Sequence, residues 1–324
     1  MFSDSYHITM QELTNKIICG DCVKVLNDIS EPFADLIFAD PPFNIGYKYD
    51  KYDDNIKKEK YIEWTRQWIT ACKKVLKPAG SFYIAIGDDY AANVKIIADD
   101  LGLFLRNWII WHYNFGQQTK QKFARSHTHI FYFVNDNKNY TFNDNAVRIP
   151  SDRQLIYSDR RAHSKGRIPD DVWTEFSRVC GTFKERQGWH PCQMPEFLLQ
   201  RIISVSTNPG DCVLDPFSGS GTTAAAAYRL GRNFVGIEIS KKYVKQSENR
   251  LEILKKQKSR NLLLNINEIN EVKRLLIDMN RPAKKIVADK TLLNLFVKQL
   301  NVRLNSNRID TNVILPILMD SKID

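Results

Sequence analysis

Short apolar runs alternate with helically spaced segments through residues 16–111, and the same rhythm returns after His190. Lys16–Cys19, residues 34–39, Ser81–Ile86 and Phe104–His112 read as strands. Between them, Cys22–Ile29, Lys58–Leu76 and Asp88–Leu101 carry apolar residues three and four apart and read as helices. After His190, helices are expected at Met194–Val205, Thr222–Leu230 and Lys241–Lys256, with strands at Cys212–Leu214 and Phe234–Ile237. Each strand–helix–strand crossover lays a helix on a sheet face, so this alternation predicts a parallel sheet covered on both sides. The expected fold class is α/β: a doubly wound, mostly parallel sheet with helices on both faces.

Two stretches depart from the rhythm. Residues 113–188 are rich in Asn, Gln, Arg, Lys and aromatics, and hold only one clear strand, His129–Val134. A connection that long is expected to be a functional insertion. Beyond 256, the spacing of Ile266, Ile269, Val272, Leu275, Leu276 and Met279 predicts a helix, Pro282 interrupts, and Leu292–Leu300 offers a second one. The chain therefore divides into a core domain of residues 16–112 and 189–256, an insertion at 113–188, and a mainly helical extension at 257–324.

Charge follows this division. The net charge is +10, yet residues 1–111 carry 13 Lys/Arg against 16 Asp/Glu and residues 191–240 carry 3 against 4. The excess sits in residues 112–190, with 13 against 8, and in 241–324, with 18 against 9. A polyanionic partner for those two regions is the expectation, against the plainer reading of a solvated charged face. Six cysteines in 324 residues are too few for a disulfide framework and are expected as thiols. No stretch approaches the ~20 apolar residues of a membrane span. The first ten residues lack the basic and apolar regions of a signal peptide, so a cytoplasmic location is expected.

Two motifs carry chemistry. Asp40-Pro41-Pro42-Phe43 follows the apolar run Leu36–Ala39, and two prolines stiffen the backbone where a carboxylate and a ring leave a strand. Asp215-Pro216-Phe217-Ser218-Gly219-Ser220-Gly221-Thr222-Thr223 follows another strand and opens a helix. Glycines there permit a tight turn and close ligand approach, and the helix start offers free N–H groups. Glu238 ends the next strand, where a carboxylate can accept ribose hydroxyls. Alone, Gly219, Gly221 and Ala224 with a later acid fit a dinucleotide fingerprint, which admits a nicotinamide-dependent dehydrogenase. A Walker loop is disfavoured because no Lys-Ser/Thr follows the glycines.

Taken together, the motifs resemble the β-class amino-group DNA methyltransferases, which use S-adenosyl-L-methionine. The likeness covers roughly residues 16–256 and includes Gly20-Asp21, Leu76–Ser81, Arg167–Trp173, His190-Pro191-x-Gln193-x-Pro195-Glu196, Asn208–Asp211 and Leu230-Gly231-Arg232. Met194 departs from it, standing where the family commonly has Lys. The resemblance implies a Rossmann-like methyltransferase fold with circularly permuted motif order, in which the strands ending at Leu214 and Ala39 are neighbours.

The resemblance also implies roles. Asp40, Pro41, Pro42 and Phe43 would receive and stack a flipped-out base, with Asp40 and the Pro41 carbonyl accepting hydrogen bonds from its amine. Asp21, Asp215, Phe217, Ser218, Gly219, Gly221, Thr222, Thr223, Glu238, His190 and Pro191 would surround the cofactor. Asp rather than Ser at position 40 points to N6 of adenine over N4 of cytosine, with an RNA methyltransferase a further alternative. Residues 113–188 would recognise the target in double-stranded DNA through Gln117, Gln118, Lys120, Lys122, Arg125, Arg153, Arg160, Arg161, Lys165 and Arg167. Tyr47, Lys48 and Tyr49 would assist base flipping. Family members often dimerise and often serve restriction–modification, so a homodimer is an expectation.

No metal is expected. Cys19-Gly20-Asp21-Cys22 has no second Cys pair or spaced His pair to complete a zinc site. His127 and His129, alternating along a strand, are not expected to ligate one ion from a single face.

Overall fold

The computed structural model describes residues 10–117, 119–157, 159–256, 264–320 and 323. It forms two compact units: residues 1–141 with 171–255, and residues 142–170 with 256–324.

The strands of the first unit are β1 (Lys16–Cys19), β2 (Ala34–Ala39), β3 (Leu76–Ile86), β4 (Phe104–Gln117), β5 (Arg125–Val134), β6 (Val172–Trp173), β7 (Cys212–Asp215) and β8 (Asn233–Glu238). They form one sheet in the order β1-β8-β7-β2-β3-β5-β4-β6. Only β5 runs antiparallel to its neighbours. Helices α1 (Met10–Leu13), α2 (Cys22–Asn27), α3 (Lys58–Val75) and α4 (Asp88–Asp100) precede the long hairpin. In sequence, a short helix of the second unit, α5 (Asp152–Leu155), separates them from α6 (Glu196–Ser206), α7 (Thr222–Arg229) and α8 (Lys241–Lys255). Helices α2, α3 and α4 pack side by side, as do α6, α7 and α8, giving two helical layers. The doubly wound, mostly parallel sheet expected from the sequence is the one observed.

The core explains why these segments hold. On α3 the residues Tyr61, Thr65, Trp68, Ile69, Cys72 and Val75 recur at helical spacing and are buried. Trp68 is fully enclosed; burying a ring of that size contributes roughly 5 kcal/mol before entropy is charged. Strands β2, β7 and β8 are buried along most of their length, as expected for strands covered on both faces.

Two strand boundaries differ from expectation. Pro78-Ala79-Gly80 is expected to separate helix from strand, but β3 already begins at Leu76. A step of two residues from Ala34 to Leu36 faces five from Leu76 to Ser81 on β3. This bulge lets Pro78 sit in a strand without owing the ladder an N–H. The Asn135 side chain donates to the carbonyls of Leu76 and Lys77 there. The second difference is the β4–β5 hairpin, which runs five residues past His112 and starts four before His129. On the β5 side the added residues, 125–128, carry no apolar alternation, and cross-strand pairing reveals them.

In the second unit, α9 (Ile266–Asp278), α10 (Ala283–Ala288), α11 (Lys290–Arg303) and α12 (Thr311–Leu318) enclose their own core around Val272, Leu275, Phe296, Leu300 and Ile314. The expected boundaries at 113–188 and 257–324 do not match this unit, which takes residues 142–170 from the insertion and joins them to the tail. Arg303 supplies the reason. Its guanidinium is buried, paired with Asp278 at 2.7 Å and Glu271 at 3.2 Å, and donates to the carbonyls of Val147 and Arg148. Gly166 adds a close approach: at φ +80°, a Cβ there would stand 2.2 Å from the Ile149 carbonyl. Of the net +10, this unit holds +8, with 19 Lys/Arg against 11 Asp/Glu. Among the described residues no helix is long and apolar enough to cross a membrane.

Candidate active site

The parallel strands deliver acids to one edge of the sheet. Asp21 stands two residues past β1, Glu238 ends β8, Asp215 ends β7, Asp40 follows β2 and Asp88 comes two residues after β3. In sheet order these are consecutive neighbours, so five carboxylates line the carboxyl edge. Strands β7 and β2 pair directly, Leu36 with Val213 and Ile37 with Leu214. The winding reverses between them, and open α/β sheets bind ligands at such a point.

A cleft of about 1000 Å³, partly open to solvent, occupies this edge. Its lining includes Asp21, Asp40, Pro42, Tyr49, His190, Asp215, Phe217, Ser218, Gly219, Thr222, Thr223 and Glu238, all of them residues that the resemblance assigns to the donor or the target base. Pro41, Phe43, Tyr47, Lys48, Pro191 and Gly221 lie outside the lining. Gly221 still shapes the turn, since at φ +69° a Cβ there would stand 2.8 Å from Ser247. Gly219, at φ +47°, leaves just enough room for the His190 imidazole, 2.9 Å from where a Cβ would be. His190 is held by its Nδ1 against the Cys192 carbonyl at 2.5 Å, and burial lowers its pKa to about 4. It is therefore a neutral wall at physiological pH.

The glycine loop is fastened from below. Glu238 accepts N–H groups of Gly219 at 2.9 Å and Ser240 at 2.8 Å, and Asp215 accepts the Phe217 N–H at 2.9 Å. The Phe217 ring meets Trp68 edge-on at 5.3 Å and Trp64 at 5.6 Å. Asp21 caps α2 by accepting the Lys24 N–H at 3.0 Å. Asp50 and Tyr52, which the sequence does not single out, also line the cleft, and Ser240 donates to Asp50 at 2.7 Å. The hydroxyls of Ser218 and Tyr52 are buried there without a hydrogen-bond partner among the described residues.

The Asp40–Phe43 segment is braced by residues that carry no signal in the sequence. The Tyr61 hydroxyl donates to the Pro42 carbonyl at 2.6 Å. Asn44, at φ +56°, closes a bridge to the Ile56 backbone and the Tyr90 hydroxyl. The Asp54 carboxylate is 2% exposed and accepts three N–H groups, from Asn44, Ile45 and Tyr47. An Asn and an Asp ten residues apart form no periodic pattern, so only the folded loop reveals this brace. The Phe43 ring packs on Gly87, 3.2 Å from where a Cβ would stand.

The site's charges are tuned by burial. Asp40 is pushed up to about 7, first by burial and then by the charge of Asp215, with Arg178 opposing. Asp215 is likewise pushed up to about 7 by burial, against hydrogen bonds from Thr223 and the Phe217 N–H. Arg178 is thus a cation facing Asp40 that the sequence gives no reason to choose. Tyr49 and Tyr47 both face Cys192.

Beyond the cleft, one expectation fails. Residues two apart on a strand point to the same face. His127 and His129 therefore stand side by side, each reaching Asp88 Oδ1, at 3.4 and 3.3 Å. The three could surround an ion, their ligand atoms lying within 4.8 Å of one another. The chemistry argues otherwise: Trp108 donates to His129 Nδ1, which leaves the proton on Nε2, and Arg125 already pairs with Asp88 at 2.9 Å.

The expected DNA-binding residues separate. Gln117, Lys120, Lys122 and Arg125 belong to the β4–β5 hairpin of the first unit, while Gln118 lies outside the described residues. Arg153, Arg160, Arg161, Lys165 and Arg167 belong to the second unit, with Arg161 paired to Asp159 and Arg167 to Asp170. Lys48 is exposed on the loop after Phe43.

A glycine loop and an acid–proline–proline–aromatic strand end, adjacent at the switch point of this sheet, define a Rossmann-like methyltransferase. The DNA methylase family matches residues 34–249, and the chain belongs to that family. Among curated relatives it is 38% identical to the type II methyltransferase M.HpaI of Haemophilus parainfluenzae, over 74% of this chain and 75% of that one. It is 39% identical to the DNA adenine methyltransferase YhdJ of Escherichia coli (strain K12), over 73% of this chain and 82% of the relative. Among solved structures, the M1.HpyAVI–SAM complex shares the fold with TM-score 0.52 at 24% identity, covering 73% of this chain and 98% of that one.

Proposed function

We propose that this chain methylates N6 of adenine in duplex DNA, with S-adenosyl-L-methionine as donor. The observation that carries the proposal is the adjacency of Asp40, with its pKa pushed up to about 7, to the fastened loop Asp215–Thr223. The residues fit the donor: the unpartnered Ser218 and Tyr52 hydroxyls offer polar partners, and Asp21 and Glu238 offer acceptors for adenosine. When bound, the donor supplies an electrophilic methyl group on a cationic sulfur. Asp40 accepts a hydrogen bond from the target amine, orients its lone pair and holds the proton that the methylated nitrogen sheds. A carboxylate with pKa near neutrality suits both acceptance and later release. Phe43 stacks on the base, the Pro41 carbonyl accepts the amine's second hydrogen bond, and positioning supplies much of the rate. The relative named as a DNA adenine methyltransferase supports adenine, as does Asp rather than Ser at position 40.

Labelled donor with plasmid DNA, followed by analysis of the modified base and sequencing of the site, tests the reading. N6-methyladenine is expected; N4-methylcytosine or no transfer to DNA would overturn it. Asp40→Ala is expected to abolish transfer and keep donor binding.

A further inference from the structure

Phe123 is 98% exposed, the most exposed of the large apolar side chains among the described residues. It sits at the end of the β4–β5 hairpin among Lys120, Gln121 and Lys122, all exposed as well. The Thr119 hydroxyl accepts the Lys122 N–H at 3.3 Å and donates to the Lys122 carbonyl, and Gln117 pairs with Arg125 across the strands. An apolar ring held out in water between cations has no role in the core.

Topology gives the direction. Ile86, the last residue of β3, pairs with His129, so the part of β5 before His129 extends beyond the carboxyl edge that carries Asp40 and Asp215. Four more residues to Arg125 carry the hairpin about 13 Å past that edge, with Phe123 farther out. The outer end of its strand pair is tied back to the site. Arg125 pairs with Asp88 at 2.9 Å and Asp89 at 3.1 Å, and the preceding Gly87 forms the surface against which Phe43 packs.

We propose that this hairpin is a wedge arm for duplex DNA: Lys120 and Lys122 meet phosphates, and Phe123 enters the stack beside the base pair being opened. The inference rests on the DNA-methylating function above and deepens it. A target nitrogen inside a duplex must be turned out, and the gap left in the stack costs a few kcal/mol. An inserted apolar side chain recovers part of that by stacking and displaces the base toward Phe43. The arm and the base-receiving segment share a support through Arg125, Asp88 and Gly87, so one rigid element sets both.

The test uses the full chain with Phe123→Ala and Phe123→Leu on oligonucleotide duplexes bearing the methylated site found by sequencing. Single-turnover transfer is measured on the paired duplex and on one whose target base faces an abasic position. For Phe123→Ala we expect a loss on the order of 10- to 100-fold on the paired duplex, a near wild-type rate on the abasic one, and partial recovery with Phe123→Leu. Thermal melting and donor binding should not change, because the side chain touches solvent alone. Equal rates for wild type and Phe123→Ala on the paired duplex, or an equal loss on both duplexes, would overturn the wedge. Failure of the wild type to methylate plasmid DNA would instead remove the underlying function.

Discussion

The Tyr61 hydroxyl donates to the carbonyl of Pro42 across 19 residues of sequence, at 2.6 Å. This single bond ties the long helix α3 to the segment that receives the base. Tyr61→Phe removes it while keeping the ring against Tyr90, 4.3 Å away. Turnover is expected to fall about tenfold with donor affinity unchanged, and stability to fall by about 1 kcal/mol. Single-turnover kinetics and urea unfolding check the two parts.

Asp54 organises the loop on the other side of Phe43. Its carboxylate satisfies three backbone N–H groups in a buried setting, and Asn at this position would turn an NH₂ toward one of them. Asp54→Asn should cost about 2 kcal/mol and slow transfer more than it weakens donor binding. Chemical denaturation and a donor titration on the same variant separate the effects.

The raised carboxyls make opposite statements about stability and activity. Asp40 and Asp215 have folded pKa values of about 7, above the ordinary value of 3.8. Between about pH 4 and 7 the folded chain keeps protons that the unfolded chain has released, so stability from these groups is full below pH 4 and declines as pH rises through 7. Activity needs Asp40 ionised and should rise with pH through an acid limb near 7. Asp40→Asn should remove most activity and about half of the pH dependence of melting that these two groups cause between about pH 4 and 7.

The same charges bear on the donor. Ionised Asp40 and Asp215 favour a cationic sulfonium over the neutral demethylated product, so the ratio of donor to product affinity should rise between about pH 6 and 8. Calorimetry in buffers of different ionisation enthalpy should show proton release on donor binding and none on product binding.

The basic surface of the second unit invites a salt measurement. Replacing Arg153, Arg160 and Lys165 by Ala should weaken DNA binding and reduce the slope of log affinity against log salt by roughly 0.9 for each phosphate no longer neutralised. Fluorescence anisotropy with a labelled duplex between about 50 and 200 mM salt reads that slope. An unchanged slope would remove these residues from the interface.

The sheet was legible because burial on both faces writes itself into sequence. Ala34–Ala39 and Lys58–Val75 fall within a residue of their expected ends. Motif residues such as Gly219 and Gly221 were legible because a tight turn admits few residue types. The outer hairpin was less so, since residues 125–128 extend its second strand with no apolar residue of their own. Arg303, buried among Asp278, Glu271 and two carbonyls, looks in sequence like any surface cation near the end of a helix.

By itself, then, the sequence determined the α/β class and the two motifs, because local periodicity and turn sterics depend on neighbours along the chain; the chemistry of the motifs came through their resemblance to the amino-group DNA methyltransferases. Tertiary structure alone decided that burial and Asp215 together raise the pKa of Asp40, that Tyr61 and Asp54 brace the base-receiving segment, that residues 142–170 fold with the tail, and that Phe123 stands out in solvent. These depend on which distant groups share a desolvated space, and distance along a chain does not record that.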